Sequence, residues 1–196
     1  MTTRATRAPA RTVELEAIAE GAADGPPWTF SGIAVAAGDV LHMDDGTPVL
    51  FRAEELRQAA STQTDEPLTA DHPEDAQGRP QYPPETDETI GRVHEAGWIE
   101  SARGVGYEAV THDETIARGI QAGSYEVSVH PTFELGGRDE GTGAFVAEDI
   151  AFRDLSVVSK GDSPSNTAEW GPNQALASPR RCRRLRPGTQ SGGESS

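Results

Sequence analysis

Lysine is all but missing from this chain of 196 residues: Lys160 is the only one, and every other basic residue is arginine. Cysteine is equally scarce, and the single Cys182 excludes an internal disulfide framework. Aromatic residues make up 6% and hydrophobic residues 35%, lean for a globular protein yet above what a wholly disordered chain carries. No apolar run approaches the roughly 20 residues of a membrane-spanning helix. Residues 1–11 are not followed by the apolar core of a signal peptide. The expectation is a soluble, intracellular protein with no part in a membrane. Its length fits one domain with a sizeable core and a tail at either end.

What is abundant is negative charge. The chain carries 32 acidic and 17 basic residues, and the basic ones are segregated. Arg4, Arg7 and Arg11 precede the domain; Arg180, Arg181, Arg183, Arg184 and Arg186 follow it. Without those eight, nine basic residues face 31 acidic ones over residues 12–177, a net charge of −22. A body this acidic repels phosphate backbones and anionic lipids, so nucleic-acid binding by the folded part is not expected. Many carboxylates with almost no lysine is also the composition of proteins from extreme halophiles, where high salt screens the self-repulsion.

Hydrophobic patterning and turn chemistry divide the chain. Residues 1–11 read as a disordered basic tail, 12–177 as the domain, and 178–196 as a second flexible basic tail. Within the domain, strands are expected at 28–37, 40–42, 49–51, 68–72, 90–99, 105–110, 125–133 and 145–159, the last as one long or two short strands. Asp44-Asp45-Gly46 is a turn signal, and residues 136–143 form a turn region. Short helices are expected at 52–60, with Leu56 on the apolar side, and at 113–121, with Ile116 and Ile120 four apart and Gly123 as a stop. The proline-rich stretch 74–88 is a surface loop. Many strands and two short helices predict an α+β, mainly β domain folded as a closed or nearly closed barrel.

Three segments can carry chemistry. Thr69-Ala70-Asp71-His72-Pro73 puts a histidine at a strand end. Gly123-Ser124-Tyr125-Glu126-Val127-Ser128-Val129-His130 puts a serine in an alternating strand, where Tyr125, Val127 and Val129 share one face and Glu126, Ser128 and His130 the other. Asp154-Leu155-Ser156-Val157-Val158 opens an apolar strand with an acid. A serine hydroxyl is a weak nucleophile until an imidazole takes its proton, and a third group must hold that imidazole. His72, Ser128 and Asp154 supply one of each, although most chains of this size contain such a set.

The order of these segments resembles the prohead proteases of tailed bacterial and archaeal viruses, relatives of the herpesvirus assemblins. The matching pieces are Asp71-His72-Pro73, Ile90-Gly91-Arg92-Val93, the helix at 113–121, Glu126-Val127-Ser128, and Asp154-Leu155-Ser156-Val157-Val158. The resemblance covers roughly residues 28–168. Each motif is loose, and the resemblance rests on their order and spacing. It implies an assemblin-like fold and a serine endopeptidase of capsid maturation, with Ser128 as nucleophile, His72 as general base and Asp154 as third member. The assemblins carry histidine at the Asp154 position. It implies no cofactor, and as partners the major capsid and scaffold proteins, cleaved inside the immature head in the host cytoplasm, together with self-association. With the halophilic composition, the implied source is a haloarchaeal tailed virus or provirus.

One departure concerns the oxyanion. Assemblins use arginines in the loop after the last strand, whereas this chain has Ser159-Lys160-Gly161-Asp162-Ser163. Backbone N–H groups near Gly161 are then expected to hold the oxyanion, with Lys160 either as support or as a plain solvated turn lysine.

Other readings stay open. His72 is equally a surface histidine before a proline loop, and Ser128 a small polar filler. Ser124 competes as nucleophile because it follows Gly123 at a helix-to-strand turn. Asp154 has Arg153 as an alternative partner, and His130 lines or touches the site. The arginines 180–186 read as a docking or self-cleavage region or as a plain cationic tail. A metal-dependent hydrolase would draw on His42, His94, His112 and His130, yet no paired His or Cys spacing supports one, and no metal ligands are assigned. A non-catalytic scaffold or head protein with the same fold is the rival from another class.

Overall fold

In the computed structural model, residues 25–43, 45–77 and 81–176 are described. The two basic tails and Cys182 lie outside the described residues. Strand β1 (Trp28–Ala36) is followed by the hairpin β2 (Val40–His42) and β3 (Pro48–Leu50). Helix α1 (Ala53–Ala59) runs into a 3-10 turn (Ala60–Gln63), then β4 (Pro67–Ala70). Strands β5 (Thr89–Ile99) and β6 (Gly104–Thr111) precede helix α2 (Glu114–Gln121). The long β7 (Glu126–Arg138) and β8 (Phe145–Val158) come next, and β9 (Glu169–Trp170) is a two-residue addition.

The mainly β, α+β architecture agrees with the sequence expectation; closure into a barrel does not. The strands form one sheet in the order β2-β3-β8-β4-β5-β6-β1-β9, with β7 branching off β8. Its end strands, β2 and β9, are not paired with each other among the described residues. The cause lies in the lengths. β8 uses one whole edge for β7, while its other edge is shared, with β3 pairing at Phe145 and Val146 and β4 at residues Leu155, Ser156 and Val157. End strands of three and two residues are too short to bridge what remains open.

The core is one cluster drawn from both helices and most of the strands. Phe30, Phe51, Leu56, Leu68, Tyr107, Phe152 and Leu155 are all essentially inaccessible. Phe30 meets Tyr107 edge-to-face at 5.9 Å, a favoured geometry for aromatic pairs. α1 and the 3-10 turn pack against β5, β6 and β8, with Leu56, Ala59 and Ala60 buried. That helix occupies the space beside β8 between β3 and β4.

Two local devices fix where β7 begins. Asp113 caps α2, its Oδ1 accepting from the Ile116 N–H at 3.0 Å, which satisfies one of the orphan amides of the first turn. At the other end Gly123 adopts φ +68°, the left-handed conformation that glycine takes without a Cβ penalty. The helix ends over the Tyr125 ring, so close that a Cβ on Gly119 would lie 2.1 Å from it. The chain therefore enters β7 in a set direction.

Candidate active site

β8 is the spine of the site, with β4 parallel on one side and β7 antiparallel on the other. The register places Thr69 and Ser128 on either side of Ser156, and His130 opposite Asp154. Cross-strand partners share a face, so Thr69, Ser156 and Ser128 form one row, and Asp154 with His130 forms the next on the same face. The opposite face takes Leu68, Leu155, Val127 and Val129 into the core. The alternation expected for Ser128, between buried valines, is therefore what the strand does: Ser128 and its neighbours Glu126 and His130 are half-buried.

A bulge follows at once. Pairing shifts from His130↔Asp154 to Pro131↔Phe152, leaving Arg153 as the extra residue on β8. Proline is tolerated on β7 because that strand is an edge and the ladder is already interrupted. Arg153 does not pair with Asp154. Its Nε donates to Thr132 Oγ1 at 3.1 Å, and its guanidinium stands 5.6 Å from the Tyr82 ring centroid.

His72 arrives from β4. Asp71 has φ 60°, in the left-handed region where Asp is more tolerated than most residues, and its N–H donates to Val157 O at 3.0 Å. The chain is thereby turned out of the strand and carries the imidazole over the polar row. His72 Nδ1 lies 3.0 Å from Ser156 Oγ and 3.8 Å from Asp154 Oδ1. Ser156 Oγ donates to Asp154 Oδ1 at 3.1 Å and lies 2.8 Å from Thr69 Oγ1. A hydroxyl has one proton, which goes to the carboxylate, so Thr69 and His72 Nδ1–H must be the donors to Ser156. The proton on Nδ1 leaves Nε2 as the basic nitrogen of His72.

Asp154 is fully buried and serves a second imidazole, since His130 Nδ1 lies 3.3 Å from its Oδ2. A carboxylate withdrawn from water needs such donors. The two rings meet edge-to-face with centroids 6.3 Å apart, and their side chains are 35% and 22% exposed. Both therefore stand between the buried acid and solvent.

They open onto a cavity of about 470 Å³ that Ser128 also lines. Leu41, Val49, Phe51 and Phe133 give it an apolar wall; His42, Glu74, Lys160 and Asp162 give it a polar rim. Ser128 makes no side-chain hydrogen bond among the described residues, so its hydroxyl can turn toward whatever enters. Ser124 is exposed on the turn before β7 and does not line this cavity.

The loop after β8 is clamped over β7. The Gly161 N–H donates to Glu126 Oε2 at 2.8 Å, and a Cβ on Gly161 would come within 2.2 Å of Val127 O. Only glycine fits that approach. The bond also commits the Gly161 amide, one of those near which an oxyanion was expected to be held, leaving Lys160 as the cationic group of this loop on the cavity, beside Asp162 and Ser163. Asp162 is engaged as well, accepting from the His42 N–H at 2.7 Å.

Of the three residues selected from sequence, His72 and Ser128 line one cavity, while Asp154 is buried behind His72 and His130 and does not line it. Asp154 touches His72 through Ser156, because the register sets Thr69, and hence the chain beyond it, beside Ser156 rather than beside Asp154. Ser156 went unselected, although its place two residues after Asp154 puts it on the same strand face. Among the described residues no three His, Cys, Asp or Glu side chains gather as a metal site. His94 and His112, two of the histidines weighed for a metal, do not line the cavity. No protein-family model matches the chain, and no curated protein is significantly similar to it.

Proposed function

We propose that the protein is a serine endopeptidase of viral head maturation that cleaves scaffold and capsid proteins inside the immature head. One observation carries the reading. A serine with an uncommitted hydroxyl and an imidazole anchored at Nδ1 line one cavity, and Ser156 ties that imidazole to a buried carboxylate behind it. The order of the motifs, similar to that of the prohead proteases and assemblins, selects peptide cleavage among the reactions such a set performs.

In the reaction, Ser128 Oγ attacks the scissile carbonyl carbon while His72 Nε2 takes its proton. The tetrahedral intermediate collapses as His72 returns that proton to the leaving amine, giving an acyl-enzyme that water resolves by the reverse sequence. Ser156 and Asp154 hold His72 in the Nδ1–H tautomer and stabilise the imidazolium. Lys160, whose residue lines the same cavity, would offset oxyanion charge in this reading. The viral partners, the haloarchaeal source and the location inside the head rest on the resemblance.

A fluorophosphonate ester tests the chemistry, because it phosphonylates only an activated serine. An adduct mapped by peptide mass to Ser128, and absent from Ser128→Ala and His72→Ala, is the expected result. An adduct on Ser124 would move the nucleophile, and none at all would overturn the reading. The uncommitted Ser128 hydroxyl is also what a non-catalytic head protein of this fold would carry, and the absence of any adduct would favour that alternative.

A further inference from the structure

Asp154 has two imidazoles but is in direct hydrogen-bond contact with only one of them, and that one is not the base. His130 Nδ1 is 3.3 Å from Oδ2, whereas His72 Nδ1 is 3.8 Å from Oδ1 and reaches the carboxylate through Ser156 Oγ. Given the proposed function, we infer that His130 is a positioning residue for the reaction: it clamps Asp154 so that Oδ1 stays turned toward Ser156 and His72.

A carboxylate pivots about its Cβ–Cγ bond unless both oxygens are held. Ser156 holds one and His130 the other. The bulge at Arg153, next to the His130–Asp154 pair, interrupts the regular ladder there before pairing resumes at Pro131↔Phe152. Backbone pairing fixes where Asp154 sits but not how its carboxylate is turned, and the His130 ring holds the oxygen that Ser156 does not. Without it, Oδ2 would be a fully buried acceptor lacking its donor, and rotation to recover one would pull Oδ1 from Ser156. His72 would then lose the chain of donors that fixes its tautomer. His130 itself acts through Asp154 and not on the reacting atoms.

The donor can be separated from the ring. Asparagine places an amide N–H close to where Nδ1 of histidine stands, while leucine fills the space without a donor. The experiment measures kinact and KI for fluorophosphonate labelling of Ser128 in wild type, His130→Asn and His130→Leu, with circular dichroism to verify folding. Phosphonylation forms the Oγ–P bond, breaks P–F, releases fluoride and sends the serine proton to His72, so it requires the oriented base. The expected result is a kinact lowered about tenfold or more in His130→Leu, the size of one lost hydrogen bond to a charged group, with KI unchanged and most of the rate restored in His130→Asn. Leucine labelling at the wild-type rate while Ser128→Ala stays unlabelled would overturn the inference and leave the proposed function standing. Two folded variants that are equally slow would overturn the donor role. A wild type that is never labelled would remove both.

Discussion

Replacing Asp154 with asparagine separates the electrostatic role of the site from its role in the fold. The carboxylate is fully buried and accepts from Ser156 and His130. Asparagine keeps the shape but trades one acceptor oxygen for an NH2 group that must face an existing donor. One hydrogen bond to a charged group is worth about 1.5–3 kcal/mol, and relief from burying the charge offsets part of that loss. A net destabilisation of about 1–2 kcal/mol follows, or a fall in Tm of about 2–8 °C for a chain of this size. The proposed reaction should suffer far more, because the amide would no longer select the Nδ1–H tautomer of His72 or stabilise its cation. Labelling of Ser128 should fall by about 10³–10⁴-fold, the scale on which serine hydrolases respond to the same exchange. Thermal melting and labelling kinetics, run side by side at high salt, read the two effects. Asp154→Asn labelled at the wild-type rate would refute the assignment of Asp154, whatever its Tm.

Gly161→Ala should destabilise by about 1–3 kcal/mol, since its Cβ cannot sit 2.2 Å from Val127 O without breaking the Gly161–Glu126 bond; denaturant unfolding measures it. The same variant should slow labelling, because the displaced loop carries Lys160 away from the cavity. The net charge of −22 over residues 12–177 predicts a Tm that rises steadily with potassium chloride, and a flat response would remove the halophile reading. Arg52 and Thr142 hold the Asp139 carboxyl below the usual carboxylate range, with Arg52 the larger cause. A depressed folded pKa contributes stability above the unfolded value that is lost as pH falls through the folded one, so Arg52→Ala should move the Asp139 titration upward in a carbon-detected NMR experiment.

The elements that sequence exposes here are those written locally. Val40–His42 emerges as a strand because Asp45 and Gly46 make its hairpin turn, with the Thr47 N–H bonded to Asp45 Oδ1 and Gly46 at φ +81°. α2 is legible from its cap, its Ile116 and Ile120 spacing and its glycine stop. The face of Ser128 follows from simple alternation. What depends on partners far along the chain is not written that way. β7 runs on to Arg138, five residues past its apolar pattern, because β8 supplies hydrogen bonds as far as Phe145. β9 is two exposed residues joined to β1, with no pattern of its own. The branched sheet replaces the barrel because β8 has three partners, a fact no local signal carries. The candidate triad came from motif order, whereas Ser156 between His72 and Asp154 came from the parallel register of β4 on β8.

The most direct test of the central claim is co-expression with the cognate capsid and scaffold proteins at high salt, with product masses compared between wild type and Ser128→Ala. Processing by the wild type that disappears in the variant is the predicted result. Processing that survives Ser128→Ala, or assembled heads in which neither protein processes anything, would contradict it.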